Sequence, residues 1–114
     1  MNKIICGDVL EELMNIPSDN IDLVVTSPPY NLGIDYDASV DKKSWDEYYT
    51  WCGEWLKELY RVLKEGGRLC INHYISLGNA EWRETPLMEL NHIGKNIGFK
   101  HHSLALWADN TILK

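Results

Sequence analysis

Ile21 to Val25, IDLVV, is almost unbroken in apolar residues. A strand of that kind has no wet face, and the usual way to cover both faces is a parallel sheet with helices packed on each side. The rest of the chain alternates in the way such a sheet requires. KIIC (Lys3 to Cys6) is a brief apolar run closed by Gly7 and reads as a first strand. DVLEELMNI follows, with Val9, Leu10, Leu13 and Ile16 on one helical face and Asp8 with Glu11 forming the acidic version of a capping box. RLCINH (Arg68 to His73) reads as a third strand and FKHHSLALWA as a fourth. The expected fold class is α/β, with a mostly parallel sheet and helices on its faces.

The clearest helix is SWDEYYTWCGEWLKELYRVLK. It sets Trp45, Tyr48, Cys52, Trp55, Leu56, Leu59 and Leu63 at helical spacing behind a Ser44/Glu47 capping box, and Gly66 and Gly67 are expected to stop it. TPLMELNHIGKNIG reads as a further helix with Thr85 as N-cap and Pro86 at its first position, ending near Gly98. With 114 residues, 45% of them hydrophobic, the chain suits one domain over 1–114.

Charge and cysteine usage narrow the function classes. A formal net charge of −6 lacks the basic footprint that holds a nucleic-acid backbone unaided. Cys6, Cys52 and Cys70 are odd in number and scattered, which fits reduced thiols and no disulfide framework. No run is long enough for a signal peptide or a membrane span, so a soluble, cytoplasmic protein without membrane partners is expected.

The apolar strand 21–25 runs straight into TSPPY, and in open α/β sheets ligands gather where strands end. Prolines fix their own φ and restrict the residue before them, so Ser27 and Pro28 are both constrained, while Pro28 and Pro29 offer carbonyls without amide donors. Such a corner presents acceptors rigidly. The Ser27 hydroxyl and the Pro28 carbonyl suit the hydrogens of an exocyclic amine, and Tyr30 suits the ring that carries it. TSPPYNLGIDYDASVDKK as a whole has no sustained period and reads as a long functional loop, with DYDASVDKK its solvated, mobile substrate part.

Other features carry less. KEGGR lies between a helix and a strand and is an αβ turn, not a phosphate cradle. His101 and His102 are adjacent on an expected strand and diverge, and Asp35, Asp37 and Asp41 lack the glycine and closing glutamate of a calcium loop, so no metal site is expected. His73 and Cys70 read as ordinary strand residues, and the Trp/Tyr-rich helix as core packing rather than a base-stacking surface, with tyrosines placed to reach the loop.

TSPPYNLGIDYD, with IICGDVLEEL before it and WLKELYRVLKEGGRLCIN after it, resembles the S-adenosylmethionine-dependent DNA methyltransferases that modify N4 of cytosine or N6 of adenine. The resemblance implies part of a Rossmann-like methyltransferase sheet. It also implies that Ser27, Pro28, Pro29 and Tyr30 form the catalytic motif, with Ser27 and Pro28 binding the target amine and Tyr30 stacking on a flipped-out base, and Asn31 beside it on the substrate side. Asp8 matches the acidic residue that approaches the cofactor adenine in that family, although a helix N-cap accounts for it equally well. Serine before Pro-Pro-Tyr favours cytosine N4 over adenine N6. Double-stranded DNA is the implied partner of the complete enzyme.

The chain departs from that family in one respect. No F-x-G-x-G cofactor segment occurs, and Phe99 in IGFKHH has no glycine pattern after it. The expectation is therefore an incomplete catalytic domain, carrying the catalytic-loop half without the target-recognition region and glycine motif. Such a chain would transfer no methyl group by itself, bind S-adenosylmethionine weakly at most, and associate with a missing C-terminal half, a partner chain or another copy. The alternative is a non-catalytic remnant that associates with a partner through an open sheet edge.

Overall fold

A computed structural model describes residues 2–33 and 42–107. Its centre is α2 (Trp45–Val62), which begins where Ser44 Oγ accepts a hydrogen bond from the Glu47 amide at 3.2 Å. The side chains expected to share one face do so: Tyr48, Cys52, Trp55, Leu56 and Leu59 are buried, with Val62 completing the row. Two helices pack on it, and each puts a leucine into the same core: Leu13 of the short α1 (Val9–Leu13) and Leu90 of α3 (Pro86–Ile97). Burial pushes the Cys52 thiol up to about 12, so it stays neutral and serves as packing.

Arg61, near the end of α2, ties the first helix down. Its guanidinium donates to the carbonyls of Leu13 at 2.8 Å and Ile16 at 3.0 Å, satisfying groups that the end of α1 leaves without helical partners. The chain then turns through Asp19 (φ 54°), where the amides of Asp19 and Asn20 donate to the carbonyls of Arg61 and Val62. That hook delivers the next residues alongside the end of α2.

These residues form β1 (Ile21–Thr26), which pairs in parallel with β2 (Leu63–Ile71). The register runs Leu23 to Arg68, Val24 to Leu69, Val25 to Cys70 and Thr26 to Ile71. Between Ile21 and Leu23 it shifts, and β2 bulges through Gly66 (φ 81°) and Gly67. A Cβ on Gly67 would sit 2.8 Å from the Lys64 carbonyl and 3.2 Å from that of Asp22, so the bulge admits no side chain there. A small antiparallel pair, β3 (Leu77–Gly78) with β4 (Arg83–Glu84), lies between β2 and α3.

The α/β alternation holds in part, as a mixed helix and strand structure with a parallel pair, and several expectations need correction. KIIC forms no strand: Ile4 is fully exposed and Ile5 half-exposed. FKHHSLALWA forms none over its described residues either, and Leu104, Leu106 and Trp107 are exposed. Both runs have strand-like composition, but a strand exists only against a partner, and β1 and β2 take each other. IDLVV is covered on one face: Val24 and Ile21 pack toward the helices, while Val25 is 73% exposed and Leu23 57%. The long helix ends at Val62, ahead of the glycines, because Leu63 is already extended (φ −72°, ψ 136°) and begins β2. Thr85 stands at the N-cap of α3 without a side-chain hydrogen bond there. The expected substrate loop falls largely on residues 34–41, outside the described residues.

Candidate active site at the carboxyl ends of the parallel strands

β1 and β2 end side by side, and the backbone ladder continues one step further, with the Asn72 amide donating to the Thr26 carbonyl at 2.9 Å. The residues after β1, Ser27 to Asn31, therefore face those after β2, Asn72 to Tyr74. Parallel pairing alone brings these two segments together, since both strands run the same way and release their chains at the same edge.

Ser27 is exposed, Pro28 buried, Pro29 exposed and Tyr30 half-buried. Asn72 reaches across with its side-chain amide, donating to the Tyr30 hydroxyl at 2.9 Å and lying 3.5 Å from Ser27 Oγ, the outer limit of such a bond. The Tyr30 ring is held from two sides, by the His73 imidazole (centroids 4.8 Å apart) and by Tyr74 edge-on at 5.2 Å and 78°. Beneath the loop, Tyr48 of α2 donates from its hydroxyl to the Pro29 carbonyl at 2.5 Å and meets His73 Nε2 at 2.7 Å. Among the described residues, no donor reaches the Pro28 carbonyl. The corner thus has one carbonyl committed to the protein and one left over, next to an exposed hydroxyl.

Asn31 adopts φ 63°, in the left-handed region. Its side chain donates to the Lys43 carbonyl at 2.9 Å and accepts from the Lys43 amide at 2.7 Å. Asp8 is the N-cap of α1, with Oδ1 accepting from the amides of Leu10 at 3.0 Å and Glu11 at 3.4 Å. Its other oxygen takes part in neither bond, so capping and ligand contact do not compete for the same atom. Among the described residues, no hydrogen bond or ring contact joins Asp8 to the Ser27–Tyr30 corner.

Sequence reasoning singled out the loop and missed most of its supports. Tyr48 belongs to the helix read as core with tyrosines able to reach the loop, which it does, while His73 read as a strand residue and Asn72 and Tyr74 had no assigned role. His73 in fact lies two residues beyond the end of β2 and is buried. The available signal was positional: residues just past the carboxyl end of a strand parallel to the one that ends in TSPPY belong to the same edge.

His101 and His102 have separate partners, Asn91 Oδ1 at 2.9 Å and the Arg68 guanidinium at 2.8 Å, and no group of three metal-ligating side chains occurs among the described residues. No helix among them is long and apolar enough to cross a membrane. Next to the corner, the Tyr49 hydroxyl donates to Glu84 at 2.9 Å; burial first, and that carboxylate second, raise its pKa well above the ordinary tyrosine value.

Residues 21–111 match the DNA methylase family of N6/N4 methyltransferases. Among curated proteins, the chain is 38% identical over 100 residues to the Type II methyltransferase M.MjaVI of Methanocaldococcus jannaschii, an alignment covering 87% of this chain and 50% of that protein. It is 42% identical over 69 residues to the Type II methyltransferase M.HpaI of Haemophilus parainfluenzae, covering 60% of this chain and 22% of that one. It is 40% identical over 68 residues to the DNA adenine methyltransferase YhdJ of Escherichia coli, covering 60% and 23%. The chain therefore spans half the length of the first of these relatives and under a quarter of the other two.

Proposed function

The chain belongs to the DNA methylase family, and from that premise we propose that it carries the base-capturing part of an enzyme that transfers a methyl group from S-adenosylmethionine to an exocyclic amine in duplex DNA. The observation that carries this reading is the pair of acceptors at the end of β1: an exposed Ser27 hydroxyl beside a Pro28 carbonyl that takes no hydrogen bond from the described residues. An arylamine nitrogen is a poor nucleophile because its lone pair is delocalised into the ring. Hydrogen bonds accepted from its hydrogens favour the tetrahedral geometry it needs as a methyl group arrives. Ser27 acts as acceptor and not as nucleophile, and no covalent base intermediate is needed.

Reaching an amine inside a duplex requires the base to leave the stack. The Tyr30 ring, held by Asn72, His73 and Tyr74, offers a pre-set stacking partner worth about 1–3 kcal/mol. When bound, S-adenosylmethionine supplies an electrophilic methyl group. The uncommitted Asp8 oxygen fits an acceptor role toward its hydroxyl or amine groups. Ser27 tilts the target toward cytosine N4, while a relative named as an adenine methyltransferase keeps adenine N6 in play.

The proposal extends to the state of the isolated chain: no methyl transfer and weak cofactor binding until a C-terminal portion is supplied. Co-expression with the C-terminal half of a full-length family member, followed by nucleoside mass spectrometry of duplex DNA incubated with S-adenosylmethionine, tests both parts. The expected product is N4-methylcytosine. N6-methyladenine alone reverses the base preference, and no methylated nucleoside from a folded, assembled complex overturns the reading. Turnover by the chain alone overturns the claim of incompleteness. A second reading, a non-catalytic remnant docked on a partner chain, draws on the uncovered face of β1 at Leu23 and Val25; it predicts a stable complex without methyl transfer.

A further inference from the structure

We propose that His73 is a positioning residue for the Ser27–Tyr30 corner: acting through the Tyr48 hydroxyl, it fixes the Pro29 carbonyl and so aims the neighbouring Pro28 carbonyl at the substrate amine. The inference rests on the reading of that corner as an amine-binding site.

The geometry sets the direction of the relay. The Tyr74 amide donates to His73 Nδ1 at 2.8 Å, so Nδ1 is an acceptor and carries no proton. A neutral imidazole then bears its proton on Nε2, which stands 2.7 Å from the Tyr48 oxygen and donates to it. Tyr48 in turn donates its own proton to the Pro29 carbonyl. Three groups are thus aligned donor to acceptor, each polarising the next, in a place where both Tyr48 and His73 are buried. A chain with this polarity holds the Pro29 carbonyl inward. Two successive prolines leave little freedom in φ, so fixing one carbonyl restricts the peptide plane that carries the other. The His73 ring adds a second restraint, packing on Tyr30 at 4.8 Å. One imidazole therefore governs both the acceptor and the stacking side of the corner.

The test separates positioning from mere packing. In the 15N-labelled chain, long-range imidazole correlation is expected to show His73 protonated on Nε2 and bare on Nδ1. Tyr48→Phe keeps the ring in the core and removes the hydroxyl; it is expected to shift the His73 Nε2 signal and the amide signals of Tyr30 and Asn31. His73→Leu is expected to move the same two amides, and His73→Gln, which restores a side-chain N–H donor, to return them toward the parent positions. A proton on Nδ1, unmoved Tyr30 and Asn31 signals in Tyr48→Phe, or equal behaviour of the Leu and Gln variants overturns the proposal. If His73→Leu fails to fold, Tyr48→Phe decides.

These measurements need neither DNA nor cofactor, so they stand or fall apart from the functional reading. In the enzyme completed by co-expression, His73→Leu is expected to lower kcat by about 10- to 100-fold, with KM for DNA nearly unchanged and partial recovery in His73→Gln. Recovery of the amide signals without recovery of kcat overturns the link from relay to catalysis. A parent enzyme that forms no methylated nucleoside counts instead against the functional reading.

Discussion

The corner beyond β1 and β2 and the outer face of the same two strands lie within a few residues of each other, and they are finished to different degrees. At the corner, Asn72, His73, Tyr74 and Tyr48 all reach Ser27 to Tyr30 through hydrogen bonds or ring contacts. On the outer face, Leu23 and Val25 stand exposed on either side of half-buried Val24, and Cys70 opposite Val25 is exposed as well. Polar groups that point inward must find partners locally or cost about 1–3 kcal/mol each, whereas an apolar side chain left in water costs only the burial it forgoes. The contrast shows which part of the site the described residues complete by themselves: the grip on a loop, and not the cover over a sheet.

The largest effect that would break the comparison is loss of the Tyr48 ring. Tyr48→Ala opens the core and frees the loop at once, and is expected to cost about 3–5 kcal/mol in urea unfolding. A loss below about 1 kcal/mol would mean that the corner does not depend on the core. Tyr48→Phe keeps the volume and strands the Pro29 carbonyl and the His73 donor, for an expected cost of about 1–3 kcal/mol.

Alkaline pH probes the same interior. The Cys52 thiol is raised by burial to about 12 in the folded chain, above the ordinary thiol value of 9.0. The folded state therefore holds that proton more tightly than the unfolded state. Its contribution is fully present below pH 9 and is lost as pH rises toward the folded value, at no more than about 1.4 kcal/mol per pH unit. Tyr49 is raised as well and steepens the fall. Urea midpoints that stay flat from pH 9 to 11 would show that solvent reaches the thiol. The smallest effect belongs to the outer face: Val25→Thr and Leu23→Thr are expected to stay within about 0.5 kcal/mol. A cost near 2 kcal/mol, with an association constant changed in sedimentation, would instead show that face covered in solution.

The sequence made the helices legible because a helix is mostly a local object. Ser44 with Glu47, Pro86 at the start of α3 and Gly98 at its end all work within a few residues of themselves. Strands are pairings, and composition alone does not say which runs pair. KIIC and FKHHSLALWA share apolar residues with IDLVV, yet among the described residues of the three only IDLVV pairs with another strand. The corner at the strand ends was half legible for a related reason. Proline chemistry and family resemblance pick out Ser27 to Tyr30, but Tyr48 and His73 act through contacts across 19 and 25 positions of sequence, which no local pattern encodes. Asp8 remains ambiguous in the sequence because one residue type suits both a cap and a ligand, and the fold realises the cap.

Asn31 gives the loop a seam. By bonding both the amide and the carbonyl of Lys43, one side chain fastens the chain just after Tyr30 to the chain just before Ser44. The clasp therefore sets where the chain re-enters the central helix: Lys43 stands directly before the Ser44 cap, so the residue that follows Tyr30 also anchors the start of α2.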